Sequence, residues 1–187
     1  MYPEMMVAPM RQELTSAGIE EARTADDVER AVAEKGTLMV VVNSICGCAA
    51  GRMRPGVRAA MQHNVRPDKV ITVFAGQDKE ATEAARNHFT GFPPSSPSIG
   101  LLRDGELVYM IERRQIEPSH PDQIAGALKQ AFEKYCAKAG EKIYPIRYLQ
   151  TDQIARKGAH DDFDQGDRYR QADRNKRGRK CEAQPKR

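Results

Sequence analysis

Leu38-Met39-Val40-Val41-Val42-Asn43-Ser44-Ile45-Cys46-Gly47-Cys48-Ala49-Ala50-Gly51 is the stretch on which the fold turns. Its first five residues are apolar and rich in β-branched side chains, which reads as a buried strand. Ala49, Ala50, Met53, Val57, Ala59, Ala60 and Met61 then read as one side of a helix. Two cysteines therefore stand where a strand ends and a helix begins.

That position has its own chemistry. A helix N-terminus presents unpaired N–H groups and the positive end of the backbone dipole. Both favour a thiolate over a thiol, and cysteines so placed ionise well below the range of a free thiol. Arg52 and Arg54, within the next turns, are expected to add positive charge. The thiolate is the nucleophile in disulfide exchange. Cys46, nearest the strand, is read as the attacking thiol and Cys48 as its resolving partner. With one residue between them, a disulfide can form only across a bent backbone, and Gly47 is expected to permit the bend. Such a bond should be strained, and strained disulfides are the labile or catalytic ones. A structural cysteine pair and half of a metal site are the other readings of the same spacing.

The chain has 187 residues, 40 % of them hydrophobic and 30 % charged, which suits a globular domain with an extension. No apolar run is long enough to cross a membrane. Met1-Tyr2-Pro3-Glu4-Met5-Met6 lacks the basic and apolar regions of a signal peptide. Four unevenly spaced cysteines do not make a disulfide framework, so a cytoplasmic, reducing setting is expected. Residues 1–136 hold 16 Lys+Arg against 18 Asp+Glu, whereas residues 137–187 hold 14 against 8. The basic character thus belongs to the tail.

Along the chain, Met6, Val7, Met10 and Leu14 predict a helix over residues 3–17. Ile19 to Arg23 is an extended piece. Thr24 with Asp27 is a capping box opening a helix that stops at Gly36. Pro55 should kink or restart the helix after the cysteines, because it has no N–H. Lys69 to Ala75 is a second buried strand, and a helix runs on to Phe89. This β-α-β-α order argues for parallel strands joined by crossover helices. The proline-dense loop Phe92 to Ser98 leads to a strand at Ile99–Arg103. Asp104-Gly105 predicts a tight hairpin into Glu106–Glu112, with Arg113 and Arg114 facing solvent at its end. A last helix spans Pro121 to Cys136.

This order, with a cysteine motif after the first main strand and a proline before the third, resembles the thioredoxin-like arrangement: an α/β fold with a central mixed sheet flanked by helices. The resemblance implies a cis peptide before Pro97, close to the redox cysteine. The residues alone also allow an ordinary trans proline shaping a loop. The likeness goes further. Met5-Met6-Val7-Ala8-Pro9-Met10-Arg11, the stretch Asn43–Gly51 with Arg54-Pro55, Val73–Thr82, Pro93–Ser98, Asp104–Val108, Ile111–Arg113 and Phe132–Cys136 together resemble the bacilliredoxin family. They cover nearly all of residues 1–136.

The resemblance implies a thiol–disulfide oxidoreductase with a Cys-Gly-Cys motif. Such a protein removes the low-molecular-weight thiol bacillithiol from mixed disulfides on client proteins. Cys46 is then the nucleophile, and Cys48 or another thiol resets it. Bacillithiol is a co-substrate, and no metal or organic cofactor is required because exchange proceeds by direct attack. Cys136 matches a family position and reads either as a buried packing residue or as a distant resolving thiol. Disulfide isomerisation is an alternative use of the same motif. A non-catalytic metal- or nucleic-acid-binding module is an alternative of another class. The four histidines, His63, His88, His120 and His160, show no ligand spacing to one another.

The expected domains are residues 1–137, the thioredoxin-like domain, and residues 138–187, a basic extension read as partly disordered. Ile143, Ile146, Tyr148, Leu149 and Ile154 suit a brief docking on the body. From Ala159 the tail is charged and poor in aliphatics. It carries a basic cluster from Arg168 to Lys180 that could touch nucleic acid. Cys181 has no family counterpart.

Overall fold

The structure, a computed structural model, describes residues 1–136. The tail features expected above, with His160 and Cys181, lie outside those residues, as does the 137/138 boundary. The elements run α1 (Glu4–Thr15), β1 (Glu20–Glu21), α2 (Ala25–Ala33), β2 (Thr37–Asn43), a π-helical turn (Ala49–Met53) and α3 (Arg54–Ala60). Then come β3 (Lys69–Phe74), α4 (Lys79–Asn87), β4 (Ser98–Arg103), β5 (Glu106–Ile111), α5 (Arg113–Ile116) and α6 (Pro121–Tyr135).

One sheet orders the strands β1-β3-β2-β4-β5. β1, β3 and β2 are parallel, while β4 runs antiparallel to β2 and β5 antiparallel to β4. β2 is therefore central, and all seven of its residues are buried. Alternation divides them between two cores. Met39 and Val41 face the core made with Leu14 of α1, Val57 of α3, and Leu128 and Phe132 of α6. Leu38, Val40 and Val42 face the core made with Val28 of α2 and Ala81 and Ala85 of α4. A strand covered on both sides cannot alternate with polar residues, which is why it appears as an unbroken apolar run. No described helix is long and apolar enough to cross a membrane.

The local signals explain the boundaries. The Thr24 hydroxyl accepts the Asp27 N–H at 3.2 Å, and the Asp27 carboxylate accepts the Thr24 N–H at 3.1 Å, so the capping box is formed. Asp104 and Gly105 both take positive φ, 50° and 83°, and turn β4 into β5 within two residues. The peptide Ser96–Pro97 is cis, as the resemblance implied. Pro97 is buried and directly precedes β4. Mixed sheet, crossover helices on both faces and this proline together make the fold thioredoxin-like.

Arg113 and Arg114 do face solvent, but in the short helix α5 rather than at a strand end. Arg114 Nη2 pairs with Glu112 at 2.6 Å and Arg113 Nε with Glu117 at 2.7 Å. α1 is fixed by Arg11, which is 5 % exposed. Its guanidinium meets Glu21 and Asp78 at 2.7 Å each and lies over the Phe74 ring at 5.1 Å. These carboxylates raise the Arg11 pKa further above its ordinary value, so the cation is permanent. The contacts hold α1 across the end of the sheet where β2 and β3 finish.

Candidate active site

β2 ends at Asn43, which is 1 % exposed and acts as a junction. Its Nδ2 donates to the Met10 carbonyl of α1 at 3.2 Å, and its Oδ1 accepts the Ser44 N–H at 2.8 Å. Arg54, equally buried, reaches the same junction from α3. Its Nη1 donates to Asn43 Oδ1 at 3.2 Å and to the Ser44 carbonyl at 3.1 Å, while its Nε donates to Glu13 of α1 at 2.9 Å. α1 and α3 thus grip the two residues that lead from β2 into the cysteines. A buried guanidinium is tolerated because a carboxylate and two oxygen acceptors surround it.

Cys46 then caps the helix that follows. Its carbonyl accepts the N–H groups of Ala49 and Ala50, each at 3.1 Å. Its sulfur also faces the Ala49 N–H at 3.4 Å and the Ser44 hydroxyl at 3.2 Å. The sulfur so occupies the place of the side-chain oxygen in an ordinary N-cap. As a thiolate it would receive two charge-assisted hydrogen bonds. Among the described residues, the Cys48 sulfur receives none. Both cysteines are half-buried against the first core and are joined as a disulfide, with Cα atoms 5.4 Å apart.

One expectation needs correction. Arg52 and Arg54 were expected to supply charge to the sulfur. Arg52 instead donates to the Ser119 carbonyl at 2.8 Å, and Arg54 is matched by Glu13. The groups facing Cys46 are one amide and one hydroxyl. Gly47, expected to permit the bend, has no positive φ, and a Cβ there would meet nothing within 4 Å. The bend does not depend on left-handed backbone, and the glycine leaves the outer side of the pair open.

The helix does restart near Pro55. The Arg54 N–H donates to the Ala49 carbonyl, five residues back, and α3 begins with Pro55 in its first turn. Pro55 stands where the π-helical turn passes into α3 and brings no N–H to that junction.

Pro97 lies at the same end of the sheet as the cysteines. Ser98, the next residue, pairs with Val42, and the chain beyond Val42 runs through Asn43 and Ser44 to Cys46. Cys136 is not brought to this end. Its thiol is influenced by the side chain of Thr37, the first residue of β2. Six residue steps of a strand separate Thr37 from Asn43, about 20 Å at the usual rise. Cys136 therefore lies toward the opposite end of β2 from the chain that leads into Cys46. The packing alternative describes it: Cys136 is half-buried against the first core, and burial pushes its thiol pKa up.

Ser44 and Asn43 carry no site role in the sequence reading, and Arg54 carries a different one from the junction role seen here. The hydroxyl two residues before Cys46 was the available signal for Ser44. No spacing links Arg54 to Glu13 or to Asn43, since those contacts arise only when α1, β2 and α3 converge.

Residues 2–136 match the protein family described as disulphide isomerase. A bacilliredoxin of Koribacter versatilis is 64 % identical over 144 residues, which are 76 % of this chain and 99 % of that protein. A bacilliredoxin of Salinibacter ruber is 53 % identical, covering 72 % of this chain and 81 % of the other. One of Staphylococcus aureus is 46 % identical, covering 73 % and 94 %. Among solved structures, the oxidised thioredoxin of Plasmodium falciparum is similar at 19 % identity, with a TM-score of 0.45 over 64 % of this chain and 99 % of that one.

Proposed function

The chain belongs to the bacilliredoxin family and is a thiol–disulfide oxidoreductase, and we propose that its particular task is to remove bacillithiol from mixed disulfides on client proteins. The observation that carries the role of Cys46 is the pair of hydrogen-bond donors, Ser44 and Ala49, facing its sulfur and not that of Cys48.

In the first step the Cys46 thiolate attacks the bacillithiol sulfur of the client's mixed disulfide. A Cys46–bacillithiol disulfide forms, the client S–S bond breaks, and the client leaves as a thiolate that takes a proton from water. In the second step either Cys48 or a second bacillithiol attacks. Cys48 as thiolate gives the Cys46–Cys48 disulfide and free bacillithiol. Attack on the adduct sulfur by bacillithiol gives oxidised bacillithiol and free Cys46. A Cys46–Cys48 disulfide needs two electrons from a further thiol pair to return to the start. Bacillithiol serves as co-substrate throughout, and no metal or organic cofactor takes part. A reducing compartment such as the cytoplasm would keep the cycle running.

The test uses a purified client carrying one bacillithiol. Cys46→Ser should release no client thiol. Cys48→Ser should still release it and accumulate a bacillithiol adduct on Cys46, read by mass spectrometry. Release by Cys46→Ser at the wild-type rate, or an adduct found on Cys136, would overturn the assignment. The family's description favours isomerisation as a second reading. Recovery of native pairing in a scrambled disulfide protein, with no release from the bacillithiolated client, would select it.

A further inference from the structure

Arg54 is among the largest side chains that the fold buries completely. An arginine is a costly way to fill that space. A guanidinium loses its water there, and apolar residues of similar volume in place of a buried ion pair are often neutral or stabilising. What an apolar side chain would lack is directed N–H groups. Nη1 donates to Asn43 Oδ1 and to the Ser44 carbonyl, and both acceptors belong to the chain that runs from β2 into Cys46.

Ser44 is held from both sides as a result. Its N–H donates to Asn43 Oδ1, and its carbonyl accepts Arg54 Nη1. With both peptide groups fixed, the direction of its Cα–Cβ bond is fixed, and χ1 alone remains to bring the hydroxyl to the Cys46 sulfur. Arg54 is oriented in turn from α1, where Glu13 accepts its Nε–H at 2.9 Å. The guanidinium is a rigid planar fork, so fixing Nε fixes Nη1. The bonds of Arg54 end on Glu13, Asn43 and Ser44 and not on the sulfur, so its action on Cys46 runs through Ser44.

We propose that Arg54, oriented by Glu13, is a positioning residue for Cys46: it holds the Ser44 peptide so that the serine hydroxyl is presented to the attacking sulfur. The proposal rests on Cys46 being the attacking thiol. Because Glu13 matches its charge, Arg54 acts by geometry and not as a free cation.

The full chain, reduced and carrying Cys48→Ser so that one thiol titrates at the site, is treated with iodoacetamide. Labelling of Cys46 is followed by mass spectrometry across pH. Arg54→Lys keeps the charge and loses the fork. It should slow labelling near neutral pH about tenfold, the effect of losing a hydrogen bond to a charged group, and move the midpoint of the rate–pH curve up by about one unit. On the alkaline plateau, where Cys46 is fully ionised in both proteins, the rates should converge. Added to Ser44→Ala, Arg54→Lys should cost nothing further, because contacts in one network are not additive.

Glu13→Ala, at a partly exposed position, should slow labelling about threefold, the lower part of what one hydrogen bond contributes. Slow labelling of Cys136, half-buried against the first core, reports that a variant is folded. If Arg54→Lys fails that check, Glu13→Ala decides alone. An unchanged rate would overturn the proposal, as would an equal loss with and without the Ser44 hydroxyl. Faster labelling in Glu13→Ala would also overturn it, since that is the effect of an unmatched cation. The assay reads the thiol and not client release. Coupling between Arg54 and Ser44 in a chain that leaves a bacillithiolated client intact would retain the positioning role and reject the release activity. Release without coupling would do the reverse.

Discussion

The Ser44 hydroxyl, 3.2 Å from the Cys46 sulfur, is the only side-chain group of the described residues that hydrogen-bonds to it. A hydroxyl can rotate to donate, and a hydrogen bond to a charged group is worth about 1.5–3 kcal/mol. Ser44→Ala removes that donor and leaves the Ala49 amide. Reduced Ser44→Ala should therefore be alkylated at Cys46 about tenfold more slowly near neutral pH, as counted by mass spectrometry of the labelled thiols. An unchanged rate would show that the backbone amide suffices. Cys136 provides an internal comparison in the same experiment. Burial raises its pKa, with Asp68 adding to the effect, while Thr37 and Arg103 oppose it. It should stay protonated at neutral pH and label slowly in both proteins. The sign for stability follows. A thiol that holds its proton more tightly when folded contributes fully below the unfolded thiol's range, and the contribution is lost as pH rises through the folded one.

Between elements, α3, which follows the cysteines, packs against α6. A Cβ built at Gly56 would lie 2.9 Å from Ile124 Cβ and 2.9 Å from the Pro121 carbonyl oxygen. In an exposed helix, Gly→Ala gains about 1 kcal/mol from propensity. Here the obstacle includes backbone, which cannot rotate away, and overpacking costs about 1–3 kcal/mol. Gly56→Ala should thus be destabilising despite the better helix former, with a lowered denaturation midpoint. A rise would mean that the helices separate freely. The same elements show what a sequence can reveal. Val40-Val41-Val42, the Thr24–Asp27 cap, Asp104-Gly105 and the restart at Pro55 are local signals, and each element they predicted is present. α5 has four residues with one buried, Ile116, too short for periodicity to register. The interior position of Arg54 depends on Glu13 and Asn43, 41 and 11 residues away, so no local pattern announces it.

For the whole molecule, the issue is how much chain the chemistry needs. Among the described residues the buried apolar side chains of both cores lie between Val7 and Phe132, and every group argued to act on the substrate lies before residue 98. The compact unit that contains them ends at Glu141. The Koribacter relative is matched over 99 % of its length by 144 residues, so a related protein exists with little beyond such a unit. Residues 142–187 instead add charge, 13 Lys+Arg against 7 Asp+Glu. A chain ending at Glu141 should therefore melt within about 4 °C of the full protein, the smaller shift that 1 kcal/mol produces in a domain of this size. At physiological ionic strength it should release bacillithiol from a client at the same rate. At low salt an acidic client should react faster with the full chain, because a net positive segment steers association only where charges are unscreened, and added salt should close that gap. A shortened chain that folds yet fails to turn over at physiological salt would place an essential group after residue 141 and move the catalytic unit beyond the domain built around Cys46.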